Sequence, residues 1–358
     1  MSLSELRSLQ AISDLQGYCP QRSRQMLMIF EQLEKLGTCE ESLFDVMGND
    51  RFIDISNIGK GSFGTVYRAF DLLFGCNVAL KVSFIADPEE SILQRSIKSD
   101  YVVRVYDIIE GIKASIIIME LMDGDLTFLV QETDTFEGKK GISLLHRMTR
   151  DVLLGLRDCH RENIIHRDIK PDNIMYKIDK NGNISYKLSD FGLSHKNNKM
   201  EVFLETGTPG YVSPEQLFHA RKIDWFKADA WALGITLYEA YFGVTYSDGI
   251  DYEEDRLIVY RHIMCSENKL EIDIRGSKAY HLSIAKEQAN TWLKGANKYG
   301  CPFLDQKSTV TGSKRIEEIG DEFVSFLKRF LRLHDRISIE DACGEMKKFH
   351  RTSRKMKE

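Results

Sequence analysis

The hydrophobic period of this chain changes once, at about Gly124, and that change limits the fold more than any other feature. Before it, FIDISNI, TVYRAFD, NVALKVSF, VVRVYDII and ASIIIMEL follow one another from Phe52. These runs are short, rich in β-branched and aromatic residues and separated by glycine-containing turns, as the five strands of an antiparallel sheet would be. After it the spacing turns helical: SLLHRMTRDVLLGLRDCH is a long amphipathic run and DEFVSFLKRFLRL a second. NIMYKIDKNGNISYKLSD interrupts the helical part with a hairpin signal built on its NG turn. The reading is α+β and bilobal: a small five-stranded antiparallel lobe with one helix over residues 52–123, the connector MELMDGD, and a larger, mainly α-helical lobe over 124–345. Upstream, Leu3, Leu6, Leu9, Ile12 and Leu15, then Met26, Ile29, Phe30, Leu33 and Leu36, predict an N-terminal helical extension over residues 1–50. Residues 346–358 read as a basic C-terminal tail.

Composition removes several function classes. With 358 residues, 42% of them hydrophobic, the chain can bury a substantial core, so global disorder is excluded. A net charge of −5 leaves neither a basic footprint for nucleic acid nor a polybasic membrane anchor. The seven cysteines (Cys19, Cys39, Cys76, Cys159, Cys265, Cys301 and Cys343) are scattered and lack CxxC spacing, which indicates reduced thiols and no zinc site. The N-terminus is too charged for a signal sequence and no apolar run is long enough for a membrane span, so a cytoplasmic protein is expected.

Two stretches carry chemistry. IGKGSFGTV, from Ile58 to Val66, places Gly59, Gly61 and Gly64 in a turn between two strand patterns, where backbone amides can approach phosphate oxygens without Cβ interference. No helix pattern follows directly, which argues against a dinucleotide-binding turn. Lys81 sits on the next strand pattern. HRDIKPDNIM and SDFGLS supply the rest of a phosphoryl-transfer site. Such a transfer needs a carboxylate to orient and deprotonate the attacking hydroxyl, cations on the developing charge and metal ions on the phosphate oxygens. Asp168 fits the base, Lys170 the cation beside the γ-phosphate, and Asn173 with Asp190 the magnesium ligands.

HRDIKPDN, DFG, the GxGxFGxV loop and VALK occur together and in order, and over residues 52–345 the chain resembles the eukaryotic protein kinase family. The resemblance implies ATP and Mg2+ as cofactors and a protein substrate with a serine or threonine acceptor. It places Val66 and Ala79 above the adenine and Met175 below it, with Met119 as gatekeeper and Ile58 among the cofactor-binding residues. By the same resemblance the backbone of Glu120 and Met122 meets the purine edge, Asp125 reaches the ribose, and Lys81 pairs with Glu90. GTPGYVSPE looks like the end of the activation segment; Asp229 resembles the residue that braces the catalytic loop, and Arg336 the partner of Glu215. Lys170 and Thr208 match the serine/threonine branch, where that threonine bridges base and lysine. Asp172 and Glu239 resemble positions that face substrate arginines in basophilic relatives, which implies a weak preference for basic substrates. The rival reading is a pseudokinase acting as a nucleotide-binding or protein-interaction scaffold. A small-molecule kinase is disfavoured by the GTPGYVSPE element.

Three departures stand out. Glu90 lies only nine positions after Lys81, with Glu89 a rival partner, and Asp87-Pro88 marks the start of a shortened helix. From DFG as far as Tyr211 the activation segment has only Ser194, Thr206, Thr208 and Tyr211 as hydroxyl residues, and Leu204 stands where many relatives are phosphorylated. Arg167 would ordinarily help to bind that phosphate, so either Glu201 or Glu205 substitutes for it or Thr206 is modified. Residues 249–319 form a long segment that, like residues 1–50, is a place for a regulatory partner.

Overall fold

The structure, a computed structural model, describes residues 51–61, 64–83, 88–110, 115–131, 133, 135–197, 207–208, 210–217, 223–242, 319–332 and 335–355. The helical readings for 1–50 and the segment from 249 to 318 lie outside these residues. The chain divides into two compact units, Met1–Ser96 with Val103–Met122, and Ile97–Val102 with Asp123–Glu358.

The first unit is one antiparallel sheet of five strands: β1 (Phe52–Gly61), β2 (Gly64–Asp71), β3 (Cys76–Ser83), β4 (Val105–Glu110) and β5 (Ser115–Glu120), ordered β1-β2-β3-β5-β4. Strand alternation sorts its side chains. Tyr67, Ala69, Val78, Leu80, Val82, Ile109, Ile116 and Ile118 pack with Phe52 into one cluster, while Val66, Ala79 and Lys81 belong to the opposite face. Arg51 is buried just ahead of β1. Its Nε and Nη2 donate to Asp71, and Nη1 reaches Asp107 at 3.4 Å. Asp71 also accepts from the backbone N–H of Leu73 at 2.8 Å, so one carboxylate closes the β2–β3 turn and neutralises the arginine. Helix α1 (Pro88–Ser96) leads toward β4, and its buried Gln94 donates Nε2 to the Val103 carbonyl at 2.8 Å. The strand read as VVRVYDII starts late: Val102 instead forms a parallel bridge with Leu188 of the second unit, where Leu188 N–H donates to the Tyr101 carbonyl at 2.9 Å.

The second unit is mainly helical. Strand β6 (Gly124–Asp125) and helix α2 (Leu126–Gln131) open it, and Asp125 caps α2 by accepting from the Phe128 N–H at 2.8 Å. Helix α3 (Gly138–Arg161) is the long amphipathic run, with Leu145, Met148, Val152 and Leu156 buried. After strand β7 (Ile164–Ile165) comes the loop 166–170 and a 3-10 turn at Pro171–Asn173. Strands β8 (Ile174–Ile178) and β9 (Ile184–Leu188) form the anticipated hairpin, joined to β6 in a three-stranded sheet. Its turn is a five-residue loop tied by Asp179, whose carboxylate accepts from the N–H groups of Asn181 and Asn183. Gly182, at φ +75, supplies the left-handed residue.

Strand β10 (His195–Lys196) pairs with β7, and helix α4 (Pro214–Leu217) precedes α5 (Trp225–Phe242), whose middle is buried on all sides. Helix α6 (Asp321–Lys328) ends in a 3-10 turn, Arg329–Leu331, so DEFVSFLKRFLRL is a shorter helix than its pattern suggests. Helix α7 (Ile339–Lys355) continues through the residues read as a tail, and its Met346 is buried. That apolar anchor explains the difference, because basic residues at its far end do not break a helix already packed on α3.

Candidate active site

The loop from His166 to Asn173 is held from below by one carboxylate. Asp229, on the buried helix α5, accepts from the backbone N–H of His166 at 2.9 Å and of Arg167 at 2.8 Å, and from His160 Nε2 at 2.9 Å. Burial works against its charge, but the His160 hydrogen bond, the nearby rings of His160 and His166 and the His166 amide outweigh it and hold the carboxyl below its usual range. The ionised form lets Arg167 keep φ +70, a left-handed conformation costly for a residue with a side chain. The His166 ring is clasped as well. Its Nε2 donates to the Ser189 carbonyl at 3.1 Å, Nδ1 accepts from the Asp168 N–H at 3.4 Å, and the Phe191 ring lies 4.6 Å away. Burial depresses its pKa, so the ring is a neutral spacer between the catalytic loop and the DFG stretch.

On this support four side chains converge. Asn173 Nδ2 donates to Asp168 Oδ2 at 2.8 Å and to the Asp168 carbonyl at 2.8 Å. Lys170 Nζ lies 3.0 Å from Asp168 Oδ2 and donates to Thr208 Oγ1 at 2.7 Å. The Thr208 hydroxyl donates to Asp168 Oδ1 at 2.5 Å. A carboxylate offers roughly four lone-pair directions, and these three donors leave one, on Oδ1, for a further hydroxyl. Ser189 donates through N–H and Oγ to the Asn173 carbonyl at 2.9 and 3.2 Å, which couples Asn173 to the neighbouring Asp190. Asp190 sits at φ +57 and accepts from the Gly192 N–H at 3.4 Å.

The donor set suits a hard divalent ion. Asn173 spends its amide nitrogen on Asp168, so the side-chain oxygen is the atom it can offer, next to the carboxylate of Asp190. Among the described residues no three histidine, cysteine, aspartate or glutamate side chains form a metal cage. An ion at Asn173 and Asp190 would therefore complete its shell with water and nucleotide oxygens, which is the habit of magnesium.

The remaining candidates lie in the first unit or at the edge of the second. Ile58, Gly59, Gly61 and Gly64 form the β1–β2 hairpin, with Gly61 opposite Gly64 and Asn57 Oδ1 accepting from the Gly59 N–H at 3.0 Å. A Cβ on Gly64 would fall 2.2 Å from the Val82 carbonyl oxygen. Val66 pairs directly with Lys81, and Ala79 with Met119, so these four share one sheet face. Glu90 belongs to α1, its side chain outside the described residues. Glu120 closes β5, its N–H donating to the Arg104 carbonyl at 2.9 Å, and Met122 follows. In the second unit Asp125 pairs with Met175 in the small sheet. Burial, and after it the charge of Asp172, keeps the Asp125 carboxyl above its usual range, opposed by the Phe128 amide.

Three sets of contacts add detail to the motif reading. Glu239 is buried and accepts from the Tyr211 hydroxyl at 2.7 Å, so it braces the GTPGY stretch, whereas Asp172 is exposed. Arg336 grips Glu215 with both terminal nitrogens, at 2.6 and 3.1 Å, while Nη1 also donates to the Lys227 carbonyl and the guanidinium lies 4.9 Å from the Trp231 ring. His160, which the motif reading passed over, completes the ring of donors around Asp229; its place next to the last residue of an amphipathic helix was the available signal.

The family profile described as "Protein kinase domain" matches residues 52–346. The chain belongs to the eukaryotic protein kinase family, in the serine/threonine branch that Lys170 and Thr208 indicate. It is 31% identical over 209 residues to human "NUAK family SNF1-like kinase 1", a match covering 55% of this chain and 30% of that protein. The mouse protein of the same name is 30% identical over the same length. The "Cell division control protein 2 homolog 2" of Trypanosoma brucei brucei is 34% identical over 207 residues, covering 53% of this chain and 56% of that protein. The matches thus span between 30% and 56% of each relative's length. No helix among the described residues is long and apolar enough to cross a membrane.

Proposed function

We propose that this chain is an active protein kinase that transfers the γ-phosphoryl group of ATP to serine or threonine hydroxyls. The observation that carries the reading is the Asp168 carboxylate, held by Asn173, Lys170 and Thr208 with one acceptor direction left on Oδ1. A substrate hydroxyl placed there donates its hydrogen bond to Asp168, is oriented for in-line attack and passes its proton to that oxygen. Lys170, already 2.7 Å from Thr208, supplies positive charge beside the transferring group. Magnesium, when bound with ATP at Asn173 and Asp190, neutralises phosphate oxygens. The glycine hairpin, Val66, Ala79 and Lys81 are assigned to the nucleotide, with Glu120, Met122, Asp125 and Met175 at its base and ribose.

The decisive experiment is a radiolabelled ATP assay on a peptide or protein array with wild type and Asp168→Asn. The substitution keeps the shape and removes the base, so transfer falls by roughly 10²–10⁴-fold. Equal labelling by the two proteins would leave the scaffold reading in its place.

A further inference from the structure

Arg167 immediately precedes the proposed base, and its side chain is committed before any ligand arrives. The residue is 7% exposed, and its guanidinium carbon lies 5.0 Å from the centre of the Trp225 ring. A guanidinium on an indole face is a favourable pair, more so away from water. Trp225 is itself fixed. It packs with Ile165 and Ala228, and Asp224 caps the first turn of α5 by accepting from the N–H groups of Phe226 and Lys227 at 3.1 and 3.2 Å. Arg167 and Trp225 line one small pocket together with Gly207, Thr208, Tyr211 and Asp229. The indole thus stands where the catalytic loop, the segment carrying Thr208 and the bracing helix meet.

The hydroxyls of the activation segment point the same way. Ser194 is buried and donates to the His166 carbonyl at 3.1 Å. Tyr211 is buried against Glu239, and Thr208 is bound to Asp168 and Lys170. Three of the four hydroxyl side chains from the DFG stretch to Tyr211 already have structural partners, and Ser213 just beyond donates to Gln216 Oε1 at 2.9 Å. Only Thr206, outside the described residues, is left as an acceptor for phosphate.

We infer that Trp225 is a positioning residue for the catalytic loop: its indole face holds Arg167, and through the adjoining backbone Asp168, in place of a phosphate on the activation segment. The inference rests on the kinase reading, and it gives that reading a regulatory consequence: transfer does not require prior phosphorylation of this chain.

The test uses the full chain. Wild type is treated with a protein phosphatase, its dephosphorylation is checked by intact mass, and peptide phosphorylation is followed beside Trp225→Phe, Trp225→Leu and Trp225→Met. Phosphatase-treated wild type keeps its kcat. Trp225→Leu and Trp225→Met lose about tenfold in kcat, equal to about 1.4 kcal/mol in the barrier, with KM for ATP unchanged, while Trp225→Phe recovers most of the loss because it retains a ring face. Melting temperatures report the packing loss separately, and kcat is compared under conditions where near-UV circular dichroism shows the variants folded. If the aliphatic variants match Trp225→Phe, the residue is only filling space and the inference fails. If phosphatase abolishes the activity of wild type, Arg167 answers to a phosphate and the inference also fails. A wild type that transfers no phosphate in any form overturns the kinase reading itself.

Discussion

Asp168, Lys170, Asn173 and Thr208 are the residues at which sequence and geometry meet most closely. Three of them stand within one ten-residue motif, whose short spacing made their association legible without a structure. Their support was not legible, because it comes from Asp229 and His160, far away along the chain. The support has a pH signature. Burial depresses the His166 pKa, so at a pH somewhat below 6.5 the folded ring stays neutral while the same histidine in the unfolded chain takes up a proton. The unfolded state then binds more protons, and stability falls as pH drops from 6.5 toward the folded value. Asp229 acts in a lower window: its depressed carboxyl stabilises the fold above 3.8 and loses that contribution as pH falls through its folded value. Urea denaturation across pH 7 to 5 should therefore show a steeper loss for wild type than for His166→Phe. Parallel curves would mean that the ring titrates alike in both states.

The elements themselves were readable because each is dictated by local chemistry. The five strands of the first sheet are all formed, and the departure at the start of the fourth is instructive: Val102 left its strand pattern because the Leu188 edge, in its own unit, offered it a partner, which no local pattern records. Within the β1–β2 hairpin the glycines are not equivalent. Gly64 has φ +152 and no room for a Cβ against Val82, whereas a Cβ at Gly59 meets nothing within 4 Å. Gly64→Ala should destabilise the chain by about 1–3 kcal/mol, and Gly59→Ala by no more than about 0.5 kcal/mol, both measured by chemical denaturation; equal effects would show that the hairpin relaxes freely. Helix α1 offers a similar discrimination. Leu93 and Gln94 are buried residues of this helix, and at about 3.6 residues per turn position 90 falls within their arc and position 89 outside it. Glu90→Gln should lower kcat/KM for ATP on the order of tenfold, and Glu89→Gln much less, in steady-state assays. The reverse order would make Glu89 the partner of Lys81.

At the scale of the molecule, each unit closes on one buried arginine that joins stretches distant in sequence. Arg51 binds Asp71 and Asp107 with both carboxylates and the guanidinium removed from water. Arg336 binds Glu215 across 121 positions and carries the end of the activation segment onto the loop before α7. Periodicity cannot show such pairs, because a lone arginine at position 51 reads as a solvated charge until the strands bring two aspartates to it. Arg336 was legible only through the family resemblance. Removing Arg51 leaves two carboxylates buried without their partner, a change that costs about 3–5 kcal/mol for a fully buried pair, while removing Arg336 costs less because the Glu215 side chain keeps 20% of its surface exposed. The two losses should be confined to their own units. Hydrogen exchange on the full chain should rise in β1 to β4 for Arg51→Ala and leave α3 and α5 protected, while Arg336→Ala should raise exchange at α4 and the start of α7 and leave the sheet protected. Exchange rising throughout the chain in either variant would show instead that the two units open as a single cooperative body.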